Sequence, residues 1–535
     1  VPATAEAIPF RLRPRADRRW LIGPLLLLVG IPLLMLLTSW AQPQPDIWQH
    51  LSRYLLPRLV GHTALMMVVV GVGVAVLGVG LAWLSACCEY PFRRILDPLL
   101  VLPLAFPTYV LAFIYLGMLD YAGPIQTAWR DWFGASPALL EAISRPGGVL
   151  FILVLAFYPY VYLLARAAFV GGGLAAFEAS RSLGQGPVRT FFRVSLPMAR
   201  PAVVAGLALA LMETLADFGA VSIYGFDTFT TAIYRTWLGM FNLTAAVQLA
   251  SILMLFVLLL LGIERFSRSS RVVQSERRPT GHRIRLGGLR GWLATALQFA
   301  VLLVGVVLPL LQLLVWAWPQ MSDLLDARIV GVVFNTMVLG LSGALAVVLG
   351  GLMLLAATYR TSRRQQLLGE VAALGYAIPG TVLAVAIMLA FLQFDQFAGT
   401  SLAGGMAALV MAYLIRFLRA AWGPLDSVAG RIRPQYVEVA RSLGVPRWYR
   451  LWRVNLPLLW PGLLTAFLLA LVEVAKEMPA TLMLRPFGWE TLAVRIYELT
   501  AEGQWEMAAV PALILVLLGA IPVAVLIRSG RVRAI

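Results

Sequence analysis

Residues 178–197 read EASRSLGQGPVRTFFRVSLP, and residues 438–457 read EVARSLGVPRWYRLWRVNLP. The two stretches superpose without a gap at an offset of 260 residues. Glu178 falls on Glu438, Gly184 on Gly444, Arg193 on Arg453, Leu196 on Leu456 and Pro197 on Pro457. The match continues downstream, with Pro201 on Pro461 and Glu213 on Glu473. Each copy is an Arg-rich segment set between apolar runs. Gly184 and Gly444 predict a break between two short helices, because glycine takes the left-handed conformation that ends a helix. The Leu-Pro pair then predicts the end of the second helix and a turn of the chain into the next apolar run.

Those apolar runs decide the fold class. The chain has 535 residues, 60% of them hydrophobic and 13% charged, with a mean hydropathy of +0.83. The charges collect between runs of about 20 apolar residues, the length that crosses a bilayer as a helix. A transmembrane barrel would show alternating runs of about 10 residues, and none is present. The chain reads as an all-α polytopic membrane protein. Its net charge of +17 follows the excess of Lys and Arg in cytoplasmic loops, so no nucleic-acid partner is expected.

Twelve spans are expected, at about 20–40, 59–86, 96–119, 147–169, 201–221, 244–263, 292–318, 330–357, 368–393, 402–420, 458–480 and 505–527. They divide the chain into a cytoplasmic tail (1–19), a first six-span domain (20–263), a linker (264–291) and a second such domain with a short cytoplasmic tail (292–535). The linker carries eight Arg against Glu264 and Glu276, which places it in the cytoplasm. Basic residues at both ends place the N- and C-termini there too. LAFPTYVLA at 104–112 matches YAIPGTVLA at 376–384 with the same polarity. The repeats are therefore parallel, related by an axis along the membrane normal, with a pathway expected where they meet.

Catalytic chemistry is not legible. The sequence has no GxxxxGK[ST] phosphate loop, so the chain is not expected to bind ATP or to act as an enzyme. Cys87 and Cys88 are adjacent and cannot easily bridge each other, and His50, His62 and His282 are scattered. No cofactor or firm metal site is expected.

The spacing Glu-Ala-Ser, then Gly184, then Val194-Ser-Leu-Pro resembles the EAA signature of ABC importer permeases. The second copy carries it with Val439 in place of the usual first Ala and with Ala440 following. The resemblance covers nearly the whole chain and implies two type I permease domains fused in one polypeptide. It implies that Glu178, Ala179, Gly184, Arg193, Leu196 and Pro197, with Glu438, Ala440, Gly444, Arg453, Leu456 and Pro457, form the coupling elements that dock on ATP-binding subunits. Residues 212–237 and 472–499 resemble fused ferric-iron permeases, with thiamine and phosphonate permeases as near relatives. The implied partners are a homodimer of ATP-binding subunits, which uses the ATP, a periplasmic substrate-binding protein, and the lipid of the bacterial inner membrane. A secondary transporter is the competing class, but it needs no pair of docking elements.

Five ionisable residues stand inside the two matched spans that follow the Arg-rich elements. Glu213 and Asp217 are spaced i, i+4, as are Glu473 and Glu477, which predicts one shared helix face for each pair. Lys476, the single lysine, replaces Ala216 of the first half and can pair with Glu473 at i, i+3. Intramembrane charges face a cavity or a partner. These five are therefore the candidates for the translocation pathway, against a purely helix-locking role.

Overall fold

A computed structural model describes residues 19–134, 138–267 and 283–528. The N-terminal tail, most of the linker and the C-terminal Arg531 and Arg533 lie outside the described residues. Twelve helices among the described residues are long and apolar enough to cross a membrane. They are α1 (Trp20–Ala41), α2 (Pro45–Cys87), α3 (Thr108–Phe133), α4 (Pro146–Gly171), α5 (Pro187–Ala216) and α6 (Leu243–Arg265) in the first half. The second half supplies α7 (Gly288–Met321), α8 (Ala327–Thr358), α9 (Gly380–Ala398), α10 (Met406–Arg431), α11 (Trp448–Lys476) and α12 (Trp505–Pro522).

The packed bodies do not follow the sequence halves. In the first half α2, α4 and α5 pack on one another, and α8, α10 and α11 do the same in the second. The outer helices then cross over. One apolar core joins Val74, Phe113 and Tyr158 of the first half to Leu313 of α7 and Leu515 of α12. The other joins Val347, Val385 and Tyr413 of the second half to Val29 of α1 and Val257 of α6. Each half thus lends its first and last helices to its neighbour.

Two expected spans are interrupted. In place of one helix over 96–119 there is a short helix at Arg93–Leu99, a 3-10 turn at Leu102–Ala105 and an extended Phe106, with α3 starting at Thr108. The span expected at 368–393 breaks in the same way, with a 3-10 turn at Ala373–Ala377 and an extended Ile378 before α9. Pro107 and Pro379 are the cause, because the residue before a proline is driven out of the helical region. The matched stretches 104–112 and 376–384 are therefore matched helix breaks.

The Leu-Pro pairs do the opposite of what their sequence implies. Residues 187–216 run as one continuous helical path through a π-turn at Phe191–Ser195, and 448–476 do so through Leu451–Asn455. A π-turn re-phases the hydrogen-bond ladder, so Pro197 and Pro457 enter the helix without ending it.

The described end of the linker is docked on the first half. Ile284 and Arg285 pair in parallel with Cys88 and Glu89. Arg283 donates to the Ala86 carbonyl at 3.2 Å and lies 3.6 Å from the Glu89 carboxylate. Burial pushes the Cys88 thiol up to about 11, leaving it protonated and inert at neutral pH.

Candidate translocation cavity and coupling elements

Each Arg-rich element folds as the glycine predicts. A helix at Leu174–Ser182 ends in a left-handed Gly184 (φ +83°), and one at Pro434–Ser442 ends in Gly444 (φ +72°). Gln185 N–H donates to the Ser180 carbonyl, and Val445 N–H to that of Ala440, closing a Schellman cap in both copies. The second short helix follows at Pro187–Thr190 or Arg447–Arg450. Ser180 and Thr190 hydroxyls, 3.1 Å apart, tie the two arms of the first copy.

Trp83 of α2 anchors the first copy from beneath. Its ring centroid lies 4.9 Å from Phe191, 5.1 Å from Phe177 and 5.3 Å from Phe169. The outer face is left open: Leu183, Val188 and Phe192 are exposed, as are Leu443, Trp448 and Trp452 in the second copy. Arg193 and Arg453 stand exposed among them, while Ala440 is buried. An exposed face of apolar, aromatic and Arg side chains on a rigid support is the composition of a protein-docking surface.

The five intramembrane candidates converge on one cavity of about 150 Å³. Glu213, Asp217, Glu473, Lys476 and Glu477 all line it, together with Tyr160 and Arg416. The helices end there, at Ala216 in α5 and Lys476 in α11, so Asp217 and Glu477 sit past the ends in extended conformation. The shared helix face expected from the i, i+4 spacing therefore does not exist.

The four acids divide into two kinds. Asp217 accepts the Thr108 hydroxyl at 2.5 Å and the Val221 N–H at 3.2 Å. Glu477 accepts Ala480 and Thr481 N–H, both at 2.9 Å, and the Thr481 hydroxyl at 2.7 Å. Both are occupied satisfying the first N–H groups of the short helices Gly219–Ile223 and Pro479–Leu484. Glu213 instead reaches the other half, accepting the Tyr376 hydroxyl at 2.5 Å. Glu473 remains exposed to the cavity.

Lys476 interacts with Glu473 through its charge and not through a salt bridge. Its ammonium donates to the Leu104 carbonyl at 3.0 Å, at the helix break before α3. Pro107 has no N–H to offer that carbonyl, so the break leaves it an unfilled acceptor.

Arg416 is a cavity residue that sequence reading missed. Its Nη1 lies 3.8 Å from Glu477 Oε1 and has no hydrogen-bond partner, although its side chain is only 14% exposed. The available signal was a guanidinium ten residues into an apolar span, which is a functional candidate by default. At the 260-residue offset Arg416 and Lys476 correspond to Ala156 and Ala216, which also line the cavity. Both bases therefore come from the second half.

A second buried cluster also went unread. Arg166 donates to both Asp97 carboxylate oxygens, at 2.8 and 2.7 Å, and Tyr162 donates to the same carboxylate. Among the described residues, no group of three or more His, Cys, Asp or Glu side chains is placed to hold a metal.

The family model for "Binding-protein-dependent transport system inner membrane component" matches residues 75–266 and 346–528. The chain belongs to that family. The two matched regions are the two halves of this permease, each containing one Arg-rich element and one broken span. It is accordingly a multi-pass inner-membrane protein built of two homologous all-helical domains. Fe(3+)-transport system permease protein FbpB 2 of Haemophilus influenzae is 26% identical over 95% of this chain and 98% of its own length. Molybdenum transport system permease protein ModB of Escherichia coli K12 is 35% identical over 143 residues, 27% of this chain and 60% of ModB. The PhnV permease protein of a 2-aminoethylphosphonate transport system in Salmonella typhimurium is 32% identical over 154 residues, 29% of this chain and 57% of PhnV.

Proposed function

We propose that this permease is the membrane subunit of an ATP-driven importer for ferric iron. A periplasmic binding protein delivers the iron, and the two halves pass it inward by alternating access. The two Arg-rich elements dock on a homodimer of ATP-binding subunits, whose closure pulls both at once. Both chain termini lie on the cytoplasmic side with those elements. The permease itself holds no cofactor; ATP belongs to the partner.

The observation that carries the iron reading is the similarity of the whole chain, both halves included, to a ferric-iron permease. The cavity supports it: four carboxylates stand against two bases, and hard ions such as Fe(III) prefer oxygen ligands. Glu213 and Glu473 are the pathway acids, while Asp217 and Glu477 hold the walls. An oxyanion cargo is the second reading, favoured by the unfilled N–H of Arg416 beside Lys476 in the same cavity.

Uptake by cells carrying this permease and its partners separates the two. Radiolabelled ferric iron entering, with excess molybdate or phosphonate giving no competition, is the expected result. Molybdate or phosphonate uptake in place of iron refutes it.

A further inference from the structure

Several polar contacts cross between the halves, Ser222 with Tyr497 and Tyr109 with the Lys476 carbonyl among them, and two others lie at equivalent places. The first runs from Glu213 in α5 to the Tyr376 hydroxyl, in the 3-10 turn before α9. The second runs from Lys476 in α11 to the Leu104 carbonyl, in the 3-10 turn before α3. Aligning 104–112 with 376–384 places Leu104 on Tyr376, so both contacts end on the same position of the two helix breaks. Both begin on the last turn of the corresponding helices, since Glu213 falls on Glu473 and Lys476 is three residues further on. One contact uses a carboxylate and a phenol. The other uses an ammonium and a main-chain oxygen.

We infer that Glu213–Tyr376 and Lys476–Leu104 are a matched pair of latches that hold the two halves together across the pathway. Tyr376 and Lys476 are positioning residues of the transport cycle, and both latches must part for the halves to separate. The second latch has space made for it. A Cβ on Gly519 of α12 would sit 2.5 Å from Lys476 Cε and 2.8 Å from its Nζ. The same Cβ would lie 2.5 Å from the Ala105 carbonyl oxygen, so glycine lets α12 approach the helix break as well as leaving the lysine its route to Leu104. The packing supplies the leverage, because α12 and α3 share one core, while α11 spans both, with Ala475 in that core and Ala466, Ala470 and Val474 in the other. A side chain of α11 fixed to the break before α3 therefore ties the two bundles directly. The inference goes beyond the iron reading and holds for any cargo.

The test is a distance measurement on the full-length permease in nanodiscs. Spin labels go on Ser182→Cys and Ser442→Cys, exposed and equivalent positions of the two Arg-rich elements, with Cys87→Ala and Cys88→Ala in the background. The parent gives a single inter-label distance. Tyr376→Phe with Lys476→Met produces a second distance population, larger than the sum of the changes in the two single variants. Tyr376→Phe with Lys476→Ala, the residue that Ala216 supplies at the matched place in the first half, produces the same second population. If the methionine variant does not fold, the alanine pair carries the test. Retention of the parent's single distance in either folded pair, even with a lowered melting temperature, overturns the inference.

Discussion

The Thr108 hydroxyl donates to the Asp217 carboxylate at 2.5 Å, joining the start of α3 to the end of α5. Its counterpart in the other half is built differently. Gly380 stands where Thr108 does, and a Cβ there would lie 2.2 Å from Arg416 Nη1 and 2.8 Å from Glu477 Oε1. The first half fills this corner with a hydroxyl and a short acid. The second half fills it with a longer acid and a guanidinium. The cavity therefore keeps a two-fold frame while its chemistry is lopsided.

That difference sorts the four acids by experiment. Thr108→Val removes a charge-assisted hydrogen bond and is expected to cost ~2 kcal/mol of stability. Glu477→Gln weakens the cap on Pro479–Leu484 and is expected to lower the melting temperature as well. Glu473→Gln, in contrast, is expected to leave melting nearly unchanged, Glu213→Gln to lower it slightly through its Tyr376 hydrogen bond, and both to cut uptake by about tenfold, equivalent to ~1.4 kcal/mol of lost interaction. Thermal melts of the purified permease beside initial uptake rates check this division. Equal effects of all four substitutions on both readouts would contradict it.

The Asp97–Arg166 pair is predicted to be a structural lock. Both side chains are under 10% exposed, and removing one partner leaves the other charge buried. Asp97→Ala is expected to destabilise the permease by ~3–5 kcal/mol, seen as lost membrane yield. Replacing both residues with apolar ones of similar volume is expected to recover much of that yield.

Gly184 and Gly444 have open space around them, so backbone conformation alone selects glycine there. A valine in the left-handed region costs ~1–2 kcal/mol and is expected to reshape the exposed tip without harming the bundle. The double valine variant should assemble with its ATP-binding partner and hydrolyse ATP while failing to transport. Full transport by that variant would remove the coupling role from these elements.

The crossed helices predict that neither half is stable by itself. Residues 1–267 expressed alone leave α1 and α6 without the bundle they cover, and 283–535 leave α7 and α12 likewise. Separate expression is expected to yield degraded protein, and co-expression of both pieces a co-purifying pair. A stable, monodisperse first half would contradict the crossed packing.

Much of this was legible in the sequence because hydrophobic run length and glycine position act locally. The twelve spans, the duplication, and the breaks at Gly184 and Gly444 depend only on neighbouring residues. The exchange of α1, α6, α7 and α12 was not legible, because an apolar helix face does not say which bundle it meets. The i, i+4 pairing of Glu213 with Asp217 failed because it assumed helix beyond Ala216, where the chain turns extended. Lys476 and Glu473 interact only through their charges, because a helix break far away in sequence offers the ammonium an unfilled carbonyl as its direct partner. Arg416 escaped notice because Arg419 follows it, so the two read together as the end of a span.

The most direct test is ferric-iron uptake into proteoliposomes holding this permease with its ATP-binding subunits and its binding protein. Uptake is predicted to require ATP inside the cytoplasmic-equivalent compartment and the binding protein on the opposite side. It should be abolished when Gly184 and Gly444 are both valine. Iron accumulation without ATP, driven by a proton or sodium gradient, would contradict it.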